Sequence, residues 1–219
     1  MSGIEAGKEH FMIAEIYHKF STNLEDVLTG DFFGPMRYLP FNRGLNQIFK
    51  NYAVSEDPQV MQILSSAADD DFDFEFWKRS ENGLVEIDGF IPLASVGIGI
   101  EVKYRSGLSG GNQLEKEAQV LDEWCNGKEK LLILIAEAEE AKAIYLENKD
   151  KPVFRDVHLA YLSWQDILLG LDRISTSSSY EKKIIEDLKA LLREKGFVSF
   201  EDFSMDQPVV DKDIWWTMD

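Results

Sequence analysis

Cysteine is nearly absent from this chain. Cys125 is the one thiol among 219 residues, so no internal disulfide can staple the fold and a reducing compartment suits it. It follows Trp124 at an expected helix end with no histidine nearby in sequence, which reads as a structural thiol. Histidine is also scarce. His10, His18 and His158 come with no HExxH context and no Cys partner, so the ligand set of a structural zinc is missing. Long apolar runs are missing too: the longest, 131–136, is far too short to cross a bilayer. Residues 1–10 carry acids and no apolar run, so no secretory leader is expected. The expected location is the cytoplasm, with no membrane partner. Basic residues are the last deficit. Lys and Arg number 23 against 40 Asp and Glu, a net charge of −17. Polyanions are normally held by cations that displace their counterions, so this balance weighs against nucleic acid unless the bases gather in one groove. Between Glu56 and Glu75 there are seven acids and no base.

What the chain does contain is a pair of patterned strands, 83–93 and 96–104. In the first, Val85, Ile87 and Ile91 alternate with Glu86 and Asp88; in the second, Ile98, Ile100, Val102 and Tyr104 alternate with Glu101 and Lys103. Side chains alternate faces along a strand, so Glu101 and Lys103 share one face. Two carboxylates and an ammonium meeting on one face suit a hard divalent cation beside a water. Glu86 shares the face of Asp88 and is a candidate outer ligand. Gly97 and Gly99 share the face of Glu101. Bare backbone there either admits a substrate or marks a bend.

Ile87-Asp88-Gly89 followed by Glu101-Val102-Lys103 resembles the motif of the PD-(D/E)XK nuclease superfamily, with Ile87 standing where that motif has proline. The segments Phe33-Gly-Pro-Met-Arg-Tyr-Leu-Pro40 and Tyr161-Leu-Ser-Trp-Gln-Asp-Ile167 resemble, more loosely, phrases of uncharacterised bacterial members. The resemblance implies an α/β (α+β) fold: a restriction-endonuclease-like central mixed β-sheet flanked by helices. It also implies an upstream helical Glu that completes the acidic cluster. Glu25 fits, with Asp26 and then Asp31 as alternatives, although acids in a first helical turn are also favoured by the helix dipole. Glu25, Asp88, Glu101 and the Val102 carbonyl would hold one or two Mg²⁺ ions, with Mn²⁺ able to substitute. Lys103 would orient or activate the attacking water. Superfamily members often carry a Gln or Lys on the following helix, which here points to Gln113, then Lys116 and Glu117.

In chain order, the periodicity predicts one domain over 1–219. It has a helical N-terminal part (about 8–68), a core (about 72–174), and a C-terminal helix with an aromatic tail (180–219). Amphipathic helices are expected over 8–20, 24–28 (closed by Gly30), 43–51 and 58–68, the last capped by Asp57. The sheet is expected to open at Phe72. Ser80-Glu-Asn-Gly83 signals a hairpin, and Pro92 marks a strand exit. The loop 105–111 is Gly-rich, and Arg105, Ser106 and Ser109 are candidates to contact a phosphate backbone. A helix over 113–124 capped by Asn112 follows. The run 130–136 reads as a strand buried on both faces, often parallel to its neighbours. A helix over 137–147, a strand over 157–162, a helix over 164–172 capped by Ser163, and a helix over 180–195 ending at Gly196 complete the chain. Aromatics of the tail (Phe197, Phe200, Phe203, Trp215, Trp216) suit packing better than base stacking, because acids are interleaved with them.

Two functions follow as expectations. One is a metal-dependent nuclease acting on nucleic acid, most naturally DNA, in defence, restriction or repair, with a homodimer or a basic protein partner as a source of positive surface. The other is a non-catalytic acidic module on the same fold that binds a basic protein or mimics DNA.

Overall fold

The structure is a computed structural model that describes residues 24–67, 69, 71–105 and 112–198. The expected helix over 8–20, the loop residues Ser106 and Ser109, and the tail beyond Val198 lie outside the described residues.

Five strands form one mixed sheet in the order β1-β2-β3-β4-β5. They are β1 (Glu75–Arg79), β2 (Glu86–Pro92), β3 (Val96–Val102), β4 (Glu129–Ala136) and β5 (His158–Ser163). The first three form an antiparallel meander. β4 runs parallel to both β3 and β5. Residues 131–136 are fully buried at the centre of this parallel half, as their continuous apolar run requires. The β1–β2 turn closes as its Asn-Gly signal predicts. Ser80 and Val85 exchange backbone and side-chain hydrogen bonds, and Gly83 takes φ +69.

Helices cover both faces. Before the sheet come α1 (Leu24–Met36), α2 (Leu45–Tyr52) and α3 (Gln59–Ser66). After it come α6 (Trp164–Leu171) and α7 (Ser179–Glu194). These five pack Phe32, Phe33, Ile48, Leu64, Leu168 and Leu188 against Ile98, Ile100, Val102, Ile133 and Leu162 of one face. On the opposite face, α4 (Gln113–Trp124), α5 (Ala138–Asn148) and a 3₁₀ turn (Pro152–Arg155) pack Leu114, Ala118, Leu121, Ile144 and Phe154 against Phe90, Leu132, Leu134 and Leu159.

Several expected boundaries shift. α1 does not stop at Gly30 but continues to Met36. Phe32, Phe33 and Met36 are buried to 1% exposure or less, and that burial outweighs the ~1 kcal/mol helical cost of each glycine. β1 opens at Glu75 rather than Phe72. Asn112 makes no side-chain cap at α4. Ser163 does cap α6, through a full capping box with Asp166. α7 ends in a Schellman turn: Gly196 has φ +93 and the Phe197 amide donates to the Leu192 carbonyl. That turn delivers Phe197, 2% exposed, onto the rings of Tyr104 and Trp164, a core role rather than base stacking.

The glycines of β3 have a packing role. A Cβ at Gly97 would collide with Cys125 Sγ, and one at Gly99 would press on Leu132 and Leu121. Bare backbone there admits helix α4 rather than a substrate or a bend. Gly89, beside Asp88, is bare because the Phe74 ring lies over it.

Candidate metal centre

Three separate elements bring carboxylates to one point. Glu25 comes from the first turn of α1, Asp88 from the middle of β2, and Glu101 from the end of β3. One oxygen of each lies within 4.8 Å of the others, and all three side chains are buried. Alternation along β3 sends Glu101 and Lys103 to the same side. The β2–β3 register, with Gly89 opposite Ile100, sets Asp88 beside them. Glu25 crosses the strand end to reach the group.

Lys103 sits among these acids at 3% exposure. Its Nζ lies 2.6 Å from Glu101 Oε1 and 3.2 Å from Glu25 Oε1. Two further bonds fix the frame: the Val102 amide donates to Asp88 Oδ2 at 2.9 Å, and the Tyr104 amide donates to Glu25 Oε2 at 3.2 Å. The Lys103 backbone is held from both sides. Its amide donates to the Ile135 carbonyl at 2.7 Å, and its carbonyl accepts from Trp164 Nε1 at 3.3 Å. Trp164, fully buried, is thus a positioning residue that the sequence reading took only as part of a looser phrase.

Helix α4 adds two more groups. Gln113 donates from Nε2 to Glu101 Oε1 at 2.5 Å. Glu117, one turn on, is 1% exposed, and neither of its carboxylate oxygens has a well-formed hydrogen bond. Lys116 points elsewhere; it is exposed and lines a cleft with Ser80, Asn82 and Val85. Glu117 had a sequence signal. It falls three residues after Leu114 and four before Leu121, on the helix's apolar stripe and at i+4 from Gln113.

The electrostatics follow from burial. Glu25, Asp88, Glu101 and Glu117 face one ammonium, a formal excess of three negative charges when all are ionised. Burial, then the charge of Glu101, pushes the Asp88 carboxyl well above its ordinary range, against the pull of the Val102 amide and Lys103. Burial, then Glu117, does the same to Glu101. Burial and then Asp88 push Glu117 up to about 7, with Gln113, Lys103 and Glu101 acting in the opposite direction. Burial works against the Lys103 charge, but Glu101, Glu25 and Asp88 outweigh it and hold the ammonium protonated. Protons or a multivalent cation must balance such a cluster. The donors are all hard oxygens, which fits Mg²⁺, Mn²⁺ or Ca²⁺ and not a thiophilic metal.

The other candidates take different roles. Asp26 is buried on α1, while Asp31 lies near Lys195, its carboxyl raised by burial. Glu86 pairs with Arg79, Nε to Oε2 at 2.7 Å. Arg105 is exposed at the end of β3, in the left-handed region at φ +58, with its guanidinium over the Tyr104 ring. Trp77, opposite Asp88 in the β1–β2 register, is also left-handed at φ +47.

The loop after Arg105 spells Gly107-Leu-Ser-Gly-Gly111, the spacing of a serine-hydrolase elbow, which a reading of the loop as a phosphate contact passes over. The sheet does not support that chemistry with the one described histidine. His158 pairs through Leu131 with Ile98, about 13 Å down the sheet from the end of β3, and is held by Asp57 at 2.6 Å.

No family model, curated protein or solved structure matches this chain. Among the described residues, no helix is long and apolar enough to cross a membrane.

Proposed function

We propose that this chain is a metal-dependent nuclease of restriction-endonuclease-like architecture, hydrolysing phosphodiester bonds in DNA in the cytoplasm. The observation that supports it best is the meeting of Glu25, Asp88 and Glu101 around the Lys103 ammonium. An order of helix, three-stranded meander, helix and parallel strand presents these groups. Glu25, Asp88 and Glu101 would hold Mg²⁺, with the Val102 carbonyl as a further donor. When bound, the ion supplies Lewis acidity toward a phosphoryl oxygen and lowers the pKa of a water. Lys103 stays protonated, so its role here is to orient the attacking water and to stabilise charge growing on phosphorus. Gln113 fixes the Glu101 carboxylate. Arg105, with Ser106 and Ser109 beyond it, supplies contacts to the phosphate backbone.

One observation favours a second reading. The net charge is −17, and Glu140 on α5, its carboxyl raised by burial and then by Glu137, adds to the acid around Glu25. A non-catalytic acidic module that binds a basic protein or mimics DNA fits that charge. A homodimer or basic partner would reconcile it with a nuclease.

A cleavage panel separates the two. Purified protein is incubated with linear, circular, single-stranded and branched DNA and with RNA, in Mg²⁺, Mn²⁺ or EDTA. The nuclease reading expects metal-dependent products, reduced about 100–1,000-fold by Lys103→Ala. Cleavage that survives both Lys103→Ala and Asp88→Ala would sink the site assignment. No products, together with no salt-dependent DNA affinity, would leave the acidic module.

A further inference from the structure

We propose that the β1–β2 hairpin carries a wedge, Leu84, that opens a DNA base step beside the scissile phosphate. The cleft between this hairpin and helix α4 then receives the base so released. The inference rests on the nuclease reading above and adds to it a second place where the substrate is held.

Three observations carry it. Leu84 is 83% exposed, the highest value of any large hydrophobic side chain among the described residues. Its turn is pinned rather than loose. Asn82 Oδ1 accepts from the Leu84 amide at 3.0 Å and from Ser80 Oγ at 2.8 Å, and the Val85 amide donates to Ser80 Oγ at 3.0 Å. An apolar tip on a fixed turn is the form of side chain that parts stacked bases.

Behind the tip lies a cleft of about 400 Å³, within the size range of small-molecule sites. Val85 and Val120 give it apolar walls. Lys116, Gln119 and Glu123 also line it, and none of the three has a side-chain hydrogen bond or ion pair among the described residues. Free donors and acceptors over apolar walls suit a flat, neutral ring with a hydrogen-bonding edge. Glu81 and Glu123 oppose a phosphate in the same space.

The cleft also adjoins the metal centre along both of its elements. Lys116 lies about 4.5 Å of helix beyond Gln113, which bonds Glu101. Val85 lies about 10 Å of strand before Asp88. Phosphates of one strand follow each other every ~3.4 Å along a duplex, so the cleft is about one to three nucleotides from the scissile position.

The test reads binding and cleavage separately. Full-length protein is mixed, in Ca²⁺ at low salt, with duplexes carrying 2-aminopurine, whose emission rises when it leaves the stack. Wild type should raise the emission. Leu84→Ser, a change at an exposed position, should abolish the rise with circular dichroism unchanged, and Leu84→Met should keep it. Gln119→Trp, which fills the cleft from an exposed position, should lower the rise; a full rise there would overturn the cleft as the seat of the base. In Mg²⁺, Leu84→Ser should cut paired duplex about 10–100-fold more slowly than wild type. It should cut mismatched duplex at the wild-type rate, because that step is already open. No rise with bound wild type, or a Leu84→Ser variant that treats paired and mismatched DNA alike, would overturn the wedge and leave the nuclease standing. A rise that Leu84→Ser loses, with no cleavage by any form, would keep the wedge and overturn the nuclease. A wild type that binds no DNA would overturn both.

Discussion

Replacing Glu117 by Gln should stabilise the metal-free protein at alkaline pH and leave it unchanged at acid pH. The carboxyl is displaced from 4.5 to about 7 by burial and then by Asp88. At about 1.4 kcal/mol per pH unit, that displacement is worth about 3 kcal/mol. The sign follows from linkage. The folded-state value lies above the unfolded one, so below pH 4.5 both states carry the proton and wild type loses nothing. Between 4.5 and about 7 the unfolded chain releases its proton first, and stability falls as pH rises. Above that window the full penalty stands. Glutamine has no such titration, so the variant should match wild type near the acid end and exceed it by about 3 kcal/mol at pH 8. For a chain of this length that is a rise of about 6–12 °C in Tm. Urea unfolding in EDTA across this pH range measures the difference directly. A variant with the same pH slope as wild type, or one less stable at pH 8, would refute the buried-carboxylate reasoning. Saturating Mg²⁺ should reverse the trend for wild type, because the ion binds the deprotonated acids and stabilises the state that holds it.

Two further outcomes follow from the packing. Lys103→Met should destabilise the metal-free protein at neutral pH by about 3–5 kcal/mol, since it strips the counter-ion from buried Glu101 and Glu25. The loss should shrink as pH falls and the acids take up protons, and a pH-independent loss in urea unfolding would contradict it. Gly97→Ala should cost about 1–3 kcal/mol, because the new methyl collides with Cys125 Sγ. Pairing it with Cys125→Ala should recover part of that loss in a double-mutant cycle, and strict additivity would show that the two do not compete for one space.

Much of the architecture could be read from local pattern. Period-2 alternation placed β2 and β3, the Asn82-Gly83 turn joined β1 to β2, and the unbroken apolar run placed β4 inside a parallel pair. Helix α4 spans Gln113–Trp124 as its periodicity predicts. The misses have a common cause. α1 outruns Gly30 because its aromatic residues bury against distant segments, and no local propensity scale carries that term. β3's glycines read as open backbone because α4 is far away in sequence until Cys125 fills the space above Gly97.

Residue order alone sets which faces the ionisable residues occupy. Alternation along a strand is set by backbone geometry, so Glu101 and Lys103 had to point together, with Asp88 on the neighbouring strand. It also determined the charge excess and the absence of disulfide chemistry, which are sums over residues and need no fold. Which acids join them depends on packing between distant elements. Glu25 rather than Asp26 or Asp31 reaches Lys103 because α1 crosses the end of β3 at that one turn. Glu117 rather than Lys116 faces the cluster because α4 docks its apolar stripe on the sheet. Those choices depend on how rigid elements pack in space. Burial, which raises the Asp88, Glu101 and Glu117 carboxyls, exists only once that packing is complete.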